Sequence, residues 1–315
     1  MTRSESTLSS KHTADGVPKI LSVDRKGRWL DEGLCCLIDL QVRSHCSIGY
    51  RSPKQLVLDA ADKGVSMLAI TDLDTVDGYR RARKAAQDNG IRLIPAVEIT
   101  CLDGVAILGY GFDLETPSRL SEYLSRIKNA REDYLEELVP LLQERLTTQI
   151  SLDDFQSNVH PFAIARTLLE KNDLDGQVTT PEDALRWLLE LPLPVDAWTV
   201  QPRDAIRMIQ EAGGLAVLAR PGHHPDGERV LQTLAPCGLD GVEVIYPEQD
   251  AAYWLELAAR HELLCSAGSG FRGVPGRSEQ LGVEVATFPE ARWVWETDRI
   301  QRLFRDSHEA TRPDA

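Results

Sequence analysis

No stretch of the sequence carries the run of about 18 apolar residues that a membrane-spanning helix requires, so a membrane protein is not expected. The first 28 residues also lack the apolar middle of a secretory signal. They read as a tail, and a cytoplasmic location is expected. No C-x-x-C pair occurs among the six cysteines, Cys35, Cys36, Cys46, Cys101, Cys237 and Cys265. Without that spacing nothing preorganises a thiolate site for zinc or for disulfide exchange, and buried reduced thiols are expected. Basic charge is scarce: 35 Lys and Arg against 49 Asp and Glu leave a formal charge of −14. Charge of that sign repels phosphate backbones, which argues against broad, non-specific nucleic-acid binding. Aromatic residues make up only 6% of the chain. Trp187, Trp198, Trp254, Trp293 and Trp295 are not interleaved with basic residues, so packing roles are expected ahead of base stacking. Trp293 and Trp295 are the best candidates for a contact with a partner chain or with the underside of the fold. The basic run YRRARK at residues 79–84 lies on an amphipathic stretch and reads as a solvated helix face.

What is present is an alternation. From residue 34 onward, short apolar runs (LCCLIDLQV, MLAITD, RLIPAVEIT, VAILGYGF, LAVLA, GVEVI, LLCSAG) are separated mainly by amphipathic stretches such as VDGYRRARKAAQDNG. That is the pattern of β-strands buried on both faces by crossover helices. With 315 residues, 42% of them hydrophobic, the chain can bury one sizeable core. Between residues 116 and 200 strand-like runs stop and helical ones such as SEYLSRIKNAREDYLEELVPLLQERL take over. The expected plan is a tail at 1–28, a barrel in two parts at 29–115 and 201–285, a helical insertion at 116–200, and a helix with a frayed end at 286–315. Seven such strands suggest a closed or nearly closed parallel barrel, although an open doubly wound sheet gives a similar pattern. In either arrangement the C-terminal strand ends converge on one mouth. Those ends carry Asp39, Gln41, Arg43, Asp72, Asp74, Glu98, Arg220, Glu248, Gln249, Ser269 and Arg272.

Read in order, these segments resemble the polymerase and histidinol phosphatase (PHP) family, in the branch that includes nucleoside 3',5'-bisphosphate phosphatases and small exoribonucleases. The most telling piece is LAITDLDTVDGYRRARKAAQDNGIRLIPAVEIT at residues 68–100, supported by IDLQVRSHCSIGY, AILGYGFD, GGLAVLARPG and SAGSGFRG. The resemblance implies a distorted PHP-type (β/α)7 barrel with an inserted helical subdomain, and a trinuclear metal centre held by histidines and carboxylates. Carried over residue by residue, most of those ligands are gone. Gln41, Arg43, Ile48, Leu73, Ala106, Arg220, Gly270 and Arg272 stand where the family has ligands, and only Glu98 matches. A lone carboxylate does not hold a divalent cluster, so the family's reaction does not follow from the fold.

Three lost ligands have become Arg43, Arg220 and Arg272. Arginine stays charged and presents a planar fork suited to phosphate or carboxylate. One reading is a non-hydrolytic pocket for a nucleotide or another phosphate-bearing small molecule, lined by these arginines with Gln41, Asp72 and Glu98, in a binding or regulatory protein that needs no cofactor. The plainer reading is that the arginines pair with the acids left behind, chiefly Asp39, Asp72, Asp74 and Glu98. A third is an active phosphoesterase with a relocated divalent site for Mn, Mg or Zn, built from Glu98, Asp72, His45, His223 and His224. A protein partner is also compatible with the sequence.

Overall fold

The structure, a computed structural model, describes residues 36–146, 149–155, 158–171, 174, 178–191, 199–285 and 291–309. The expected tail at 1–28, Cys35 and Trp198 lie outside the described residues. Nine strands are described: β1 (Cys36–Val42), β2 (Met67–Ile70), β3 (Arg92–Ile94), β4 (Ala96–Thr100), β5 (Ala106–Tyr110), β6 (Leu215–Leu218), β7 (Gly241–Ile245), β8 (Leu264–Ala267) and β9 (Val283–Val285). The helices are α1 (Pro53–Asp62), α2 (Asp77–Asp88), α3 (Arg119–Arg145), α4 (Pro161–Glu170), α5 (Pro181–Leu189), α6 (Pro202–Glu211), α7 (Gly227–Leu234), α8 (Ala251–Arg260) and α9 (Asp298–Glu309). Helix starts follow local chemistry. Proline in the first turn sets φ without losing a hydrogen bond at α1, α4, α5 and α6. Ser118 and Ser121 close a reciprocal cap at the start of α3.

The strands form two sheets, ordered β3-β2-β1-β9 and β4-β5-β6-β7-β8. They meet at the mouth along two seams. At one, Asp74 N donates to Glu98 O over 2.8 Å and Glu98 N donates to Asp72 O over 3.2 Å. At the other, Arg43 N donates to Phe271 O and Gly270 N donates to Gln41 O, both over 2.9 Å. The ring of strands around the mouth is thus β1, β2, β4, β5, β6, β7 and β8, an α/β barrel distorted by its pairing.

The expected all-parallel sheet is corrected at three places. RLIPAVEIT is two strands, because Pro95 has no N–H for the ladder and breaks the run between β3 and β4. The pair β4–β5 is antiparallel, as it must be when only Cys101–Val105 joins the strands; a parallel crossover needs a dozen residues or more. Two further pairs, β5–β6 and β1–β9, are also antiparallel, and β9 is a strand that the sequence pattern did not single out.

The main core fills the barrel and the space under its helices, from Ile38 and Leu40 to Ile300. Trp293 and Trp295 are buried in it, stacked with centroids 4.5 Å apart, so the barrel and not a partner surface claims them. A separate cluster, with Leu138, Leu142, Ile164 and Leu188, lies within the helices between β5 and β6. Those helices lean on the β1–α1 loop: Asn158 donates to Ser47 O over 2.9 Å and Arg166 to Gly49 O over 2.6 Å. Cys46, Cys101 and Cys265 are buried thiols, whereas Cys237 is exposed. The face of α2 that carries Arg80, Arg81, Arg83 and Lys84 is exposed.

Candidate functional site

Glu98, fully buried on β4, is the centre of the mouth. Its Oε2 accepts from Gln41 Nε2 over 3.0 Å and from the Arg43 guanidinium, and its Oε1 accepts from the Arg220 guanidinium. Arg43 reaches it from the end of β1 with a side chain only 2% exposed, while that of Arg220 is 31% exposed. The strand ends deliver both because β1 stands two strands from β4 across the β2–β4 seam, and β6 two strands from it on the other side, beyond β5. Arg220 sits in the left-handed region at φ 43°, a conformation that costs a non-glycine residue about 1 kcal/mol or more. Its backbone N is held there by Glu243 Oε2 over 2.9 Å.

Glu243 is fully buried on β7, and its Oε1 has no partner. Burial pushes its carboxyl up to about 8, against the opposing pull of the Arg220 backbone N–H. The group is therefore mostly protonated at neutral pH. Two guanidinium groups then face the one carboxylate of Glu98.

The other acids are satisfied differently. Asp72 accepts from Ser44 N over 2.8 Å and from the Ser44 and Ser47 hydroxyls over 2.6 Å. Asp39 accepts from Ser269 N over 2.9 Å, from the Ser269 hydroxyl over 2.5 Å and from Gly282 N over 2.8 Å. Burial raises Asp72 and lifts Asp39 to about 6. Asp74 pairs with Arg131 of α3 over 2.9 Å and accepts from the Tyr123 hydroxyl over 3.0 Å. Of the four acids expected to pair with the three arginines, only Glu98 does so. Serine hydroxyls and loop N–H groups already lie in range of Asp39 and Asp72, and α3 brings its own cation to Asp74.

Arg272 turns toward the helices of the insertion. Its guanidinium lies 4.8 Å over the Phe162 ring and 3.8 Å from Glu182, and its Nε donates to Ile48 O over 3.3 Å. It is thus not one of the groups on Glu98. Gly270 adopts φ 65°, and a Cβ there would lie 2.3 Å from the Tyr246 hydroxyl. Tyr246 therefore occupies the room that a ligating side chain at that position would use. The same ring stands 5.1 Å from His223 in an edge-on contact and 6.0 Å from the Arg220 guanidinium.

The histidines do not gather with Glu98 and Asp72. His223 Nε2 bonds Pro247 O over 2.8 Å, and His224 Nε2 bonds Asp103 O over 3.0 Å. His45 is half-buried, and burial lowers its pKa, helped by the charges of Arg81 and Arg166. Among the described residues no three of His, Cys, Asp and Glu come together as metal ligands. The divalent centre that the resemblance implies does not fit this donor set: guanidinium groups point at Glu98, and Asp72 is enclosed by serines. Beside the mouth, a cavity of about 560 Å³ opens between the β4–β5 turn and the segment after β6, lined by Ala106 and Arg220 among others.

Glu243, Arg131 and Tyr246 escaped sequence reading. An acid inside the apolar run GVEVI was a signal for the first. For the second, Arg131 follows Leu120, Tyr123 and Ile127 on the buried stripe of α3. Tyr246 offered no signal.

No family model matches the chain. A phosphoribosyl 1,2-cyclic phosphate 1,2-diphosphodiesterase from Eggerthella lenta is 31% identical over 264 residues, covering 78% of this chain and 98% of the relative. A 3',5'-nucleoside bisphosphate phosphatase from Chromobacterium violaceum is 28% identical, over 82% of this chain and 95% of its own. Among solved structures, an amidohydrolase from Chromobacterium violaceum, with bound sulfate and no metal, superposes with a TM-score of 0.65 at 28% identity, covering 82% of this chain and 94% of that one.

Proposed function

The chain belongs to the PHP family of phosphoesterases, in the branch of nucleoside bisphosphate phosphatases and exoribonucleases, and from that premise we propose that its mouth binds a phosphate-bearing small molecule without hydrolysing it. The observation that carries this reading is the pair of guanidinium groups on Glu98. Arg220 is the more exposed of the two and the one that reaches toward solvent. Arg43 is the buried tether that holds Glu98; Arg220 is the contact. A guanidinium supplies charge and directed donors for phosphate oxygens. It cannot generate a hydroxide nucleophile as a bound metal does, and the Ser44, Ser47 and Ser269 hydroxyls are turned onto Asp72 and Asp39. A relative that holds sulfate with no metal supports the idea that this barrel accepts an oxyanion on protein groups alone. Binding without turnover would make the protein a sensor or regulator, acting through its occupied state.

The test is a calorimetric titration of inorganic phosphate into the full chain in the presence of a chelator. Binding is expected, with a loss of at least tenfold in Arg220→Ala. A steady, Glu98-dependent release of phosphate from a nucleoside 3',5'-bisphosphate in manganese buffer would refute the reading.

A further inference from the structure

The helices between β5 and β6 are a second body on a shared spine. Their core, with Leu138, Leu142, Ile164 and Leu188, is separate from that of the barrel. One helix serves both: α3 buries Leu120, Tyr123 and Ile127 in the barrel core, and Tyr134, Leu135, Leu138 and Leu142 in the other. Between the two sets stands Arg131. It continues the i, i+4 stripe of Tyr123 and Ile127, and from 128 to 133 it is the one buried residue of α3. The helix thus passes from one core to the other across a turn that buries no apolar side chain.

Arg131 fixes that turn to the barrel. It pairs with Asp74 over 2.9 Å and donates to Leu73 O over 3.2 Å. Asp74 is itself tightly placed: its carboxylate accepts from Thr100 N over 2.9 Å and from the Tyr123 hydroxyl over 3.0 Å, and its own N–H donates to Glu98 O. Removing one partner of such a buried ion pair is costly, so this point holds when weaker contacts give way.

Away from that turn the helical body rests on the β1–α1 loop and on the segment after β8, which Tyr50 N joins by donating to Arg272 O over 2.7 Å. The contacts there are of a weaker kind. Besides the Asn158 and Arg166 bonds to loop carbonyls, the Arg166 guanidinium lies 4.9 Å over Tyr50, the Tyr50 and Phe162 rings meet edge-on at 6.4 Å, and Arg272 reaches Phe162 and Glu182. Polar contacts between bodies with separate cores permit relative motion.

We infer that the helical insertion is a hinged cap. It swings as one body about the α3 turn at Arg131, with the Arg131–Asp74 pair as the pivot and the contacts on the β1–α1 loop as the catch that opens. A hinge of this type needs only a few residues at the end of an element or, as here, between two cores. The catch bears on the mouth, because the same stretch of chain sends Arg43 to Glu98, and Ser44 and Ser47 to Asp72. A closed cap holds that stretch in place and an open one releases it. The hinge does not depend on what the mouth binds.

The test measures the position of the cap in the full chain. Spin labels carried by unnatural amino acids at the exposed positions of Arg83 in α2 and Leu189 in α5 report the distance between barrel and cap. Asn158→Ala cuts the catch and removes no core side chain; a second, longer distance should grow at least severalfold in it. Asp74→Asn weakens the pivot by turning an amide donor toward Arg131, and asparagine tolerates the left-handed backbone there at φ 52°. Its distance distribution should broaden further, while amide hydrogen exchange shows α4, α5 and β4–β8 as protected as before in both variants. A single, unchanged distance in Asn158→Ala would mean a fixed cap and overturn the hinge. Lost protection in α4 and α5 would mean that the insertion unfolds in place, which overturns it equally. A response to Asn158→Ala with none to Asp74→Asn would take the pivot away from Arg131.

Discussion

Glu98 and Asp72 are both fully buried carboxylates at the same mouth, yet they are held by opposite means. Glu98 receives two guanidinium charges and an amide, while Asp72 receives two hydroxyls and a backbone N–H, all neutral. The lesson is in the charge that remains. Neutral donors satisfy Asp72, whereas Glu98 takes two cations, of which Arg220 is partly exposed. Positions 43 and 220, which the resemblance matches to family ligands, carry arginines that converge on Glu98.

The comparison breaks most visibly if one partner of the Glu98 cluster is removed. Arg43→Ala should destabilise the fold by about 3–5 kcal/mol in denaturant unfolding, the usual cost of stripping a buried ion of its partner. Adding Glu98→Gln to that variant should recover part of the loss. A gain of stability in the single variant would mean that Glu98 does not need Arg43.

The next effect is in pH. The folded-state pKa of Glu243, about 8, lies above its ordinary value of 4.5, so the folded chain holds a proton that the unfolded chain has released. Its contribution is fully present below the ordinary value and is lost as pH rises through about 8. Between pH 7 and 8, above the ordinary ranges of Asp and His, stability should fall by up to about 1 kcal/mol per pH unit. Glu243→Gln should flatten that slope; an unchanged slope would assign it to another group.

Smallest is the neutral side of the comparison. Ser47→Ala removes one of three donors to Asp72 and should cost about 1–2 kcal/mol, with phosphate affinity unchanged because no cation is lost. A drop in phosphate affinity equal to that of Arg220→Ala would erase the distinction between the two carboxylates.

Much of this was legible in the order of residues. The strand ends follow from sequence, because a barrel strand points its last residues at a common mouth. The pairing was less so. Three arginines and four acids admit many matches, and side-chain reach selects among them: Arg131, 21 residues beyond the end of β5, arrives at Asp74 only because α3 crosses that edge. Strand direction at β4–β5 could have been read from the short turn alone. The state of Glu243 could not, since its proton depends on how completely the barrel closes around it.

The central claim is that guanidinium groups have taken the place of metal ions around Glu98, and metal stoichiometry tests it most directly. Untagged protein purified from cells supplemented with manganese, iron and zinc should carry well below one ion per chain by plasma mass spectrometry. One or more tightly held ions per chain would contradict the account and return the mouth to metal-dependent hydrolysis.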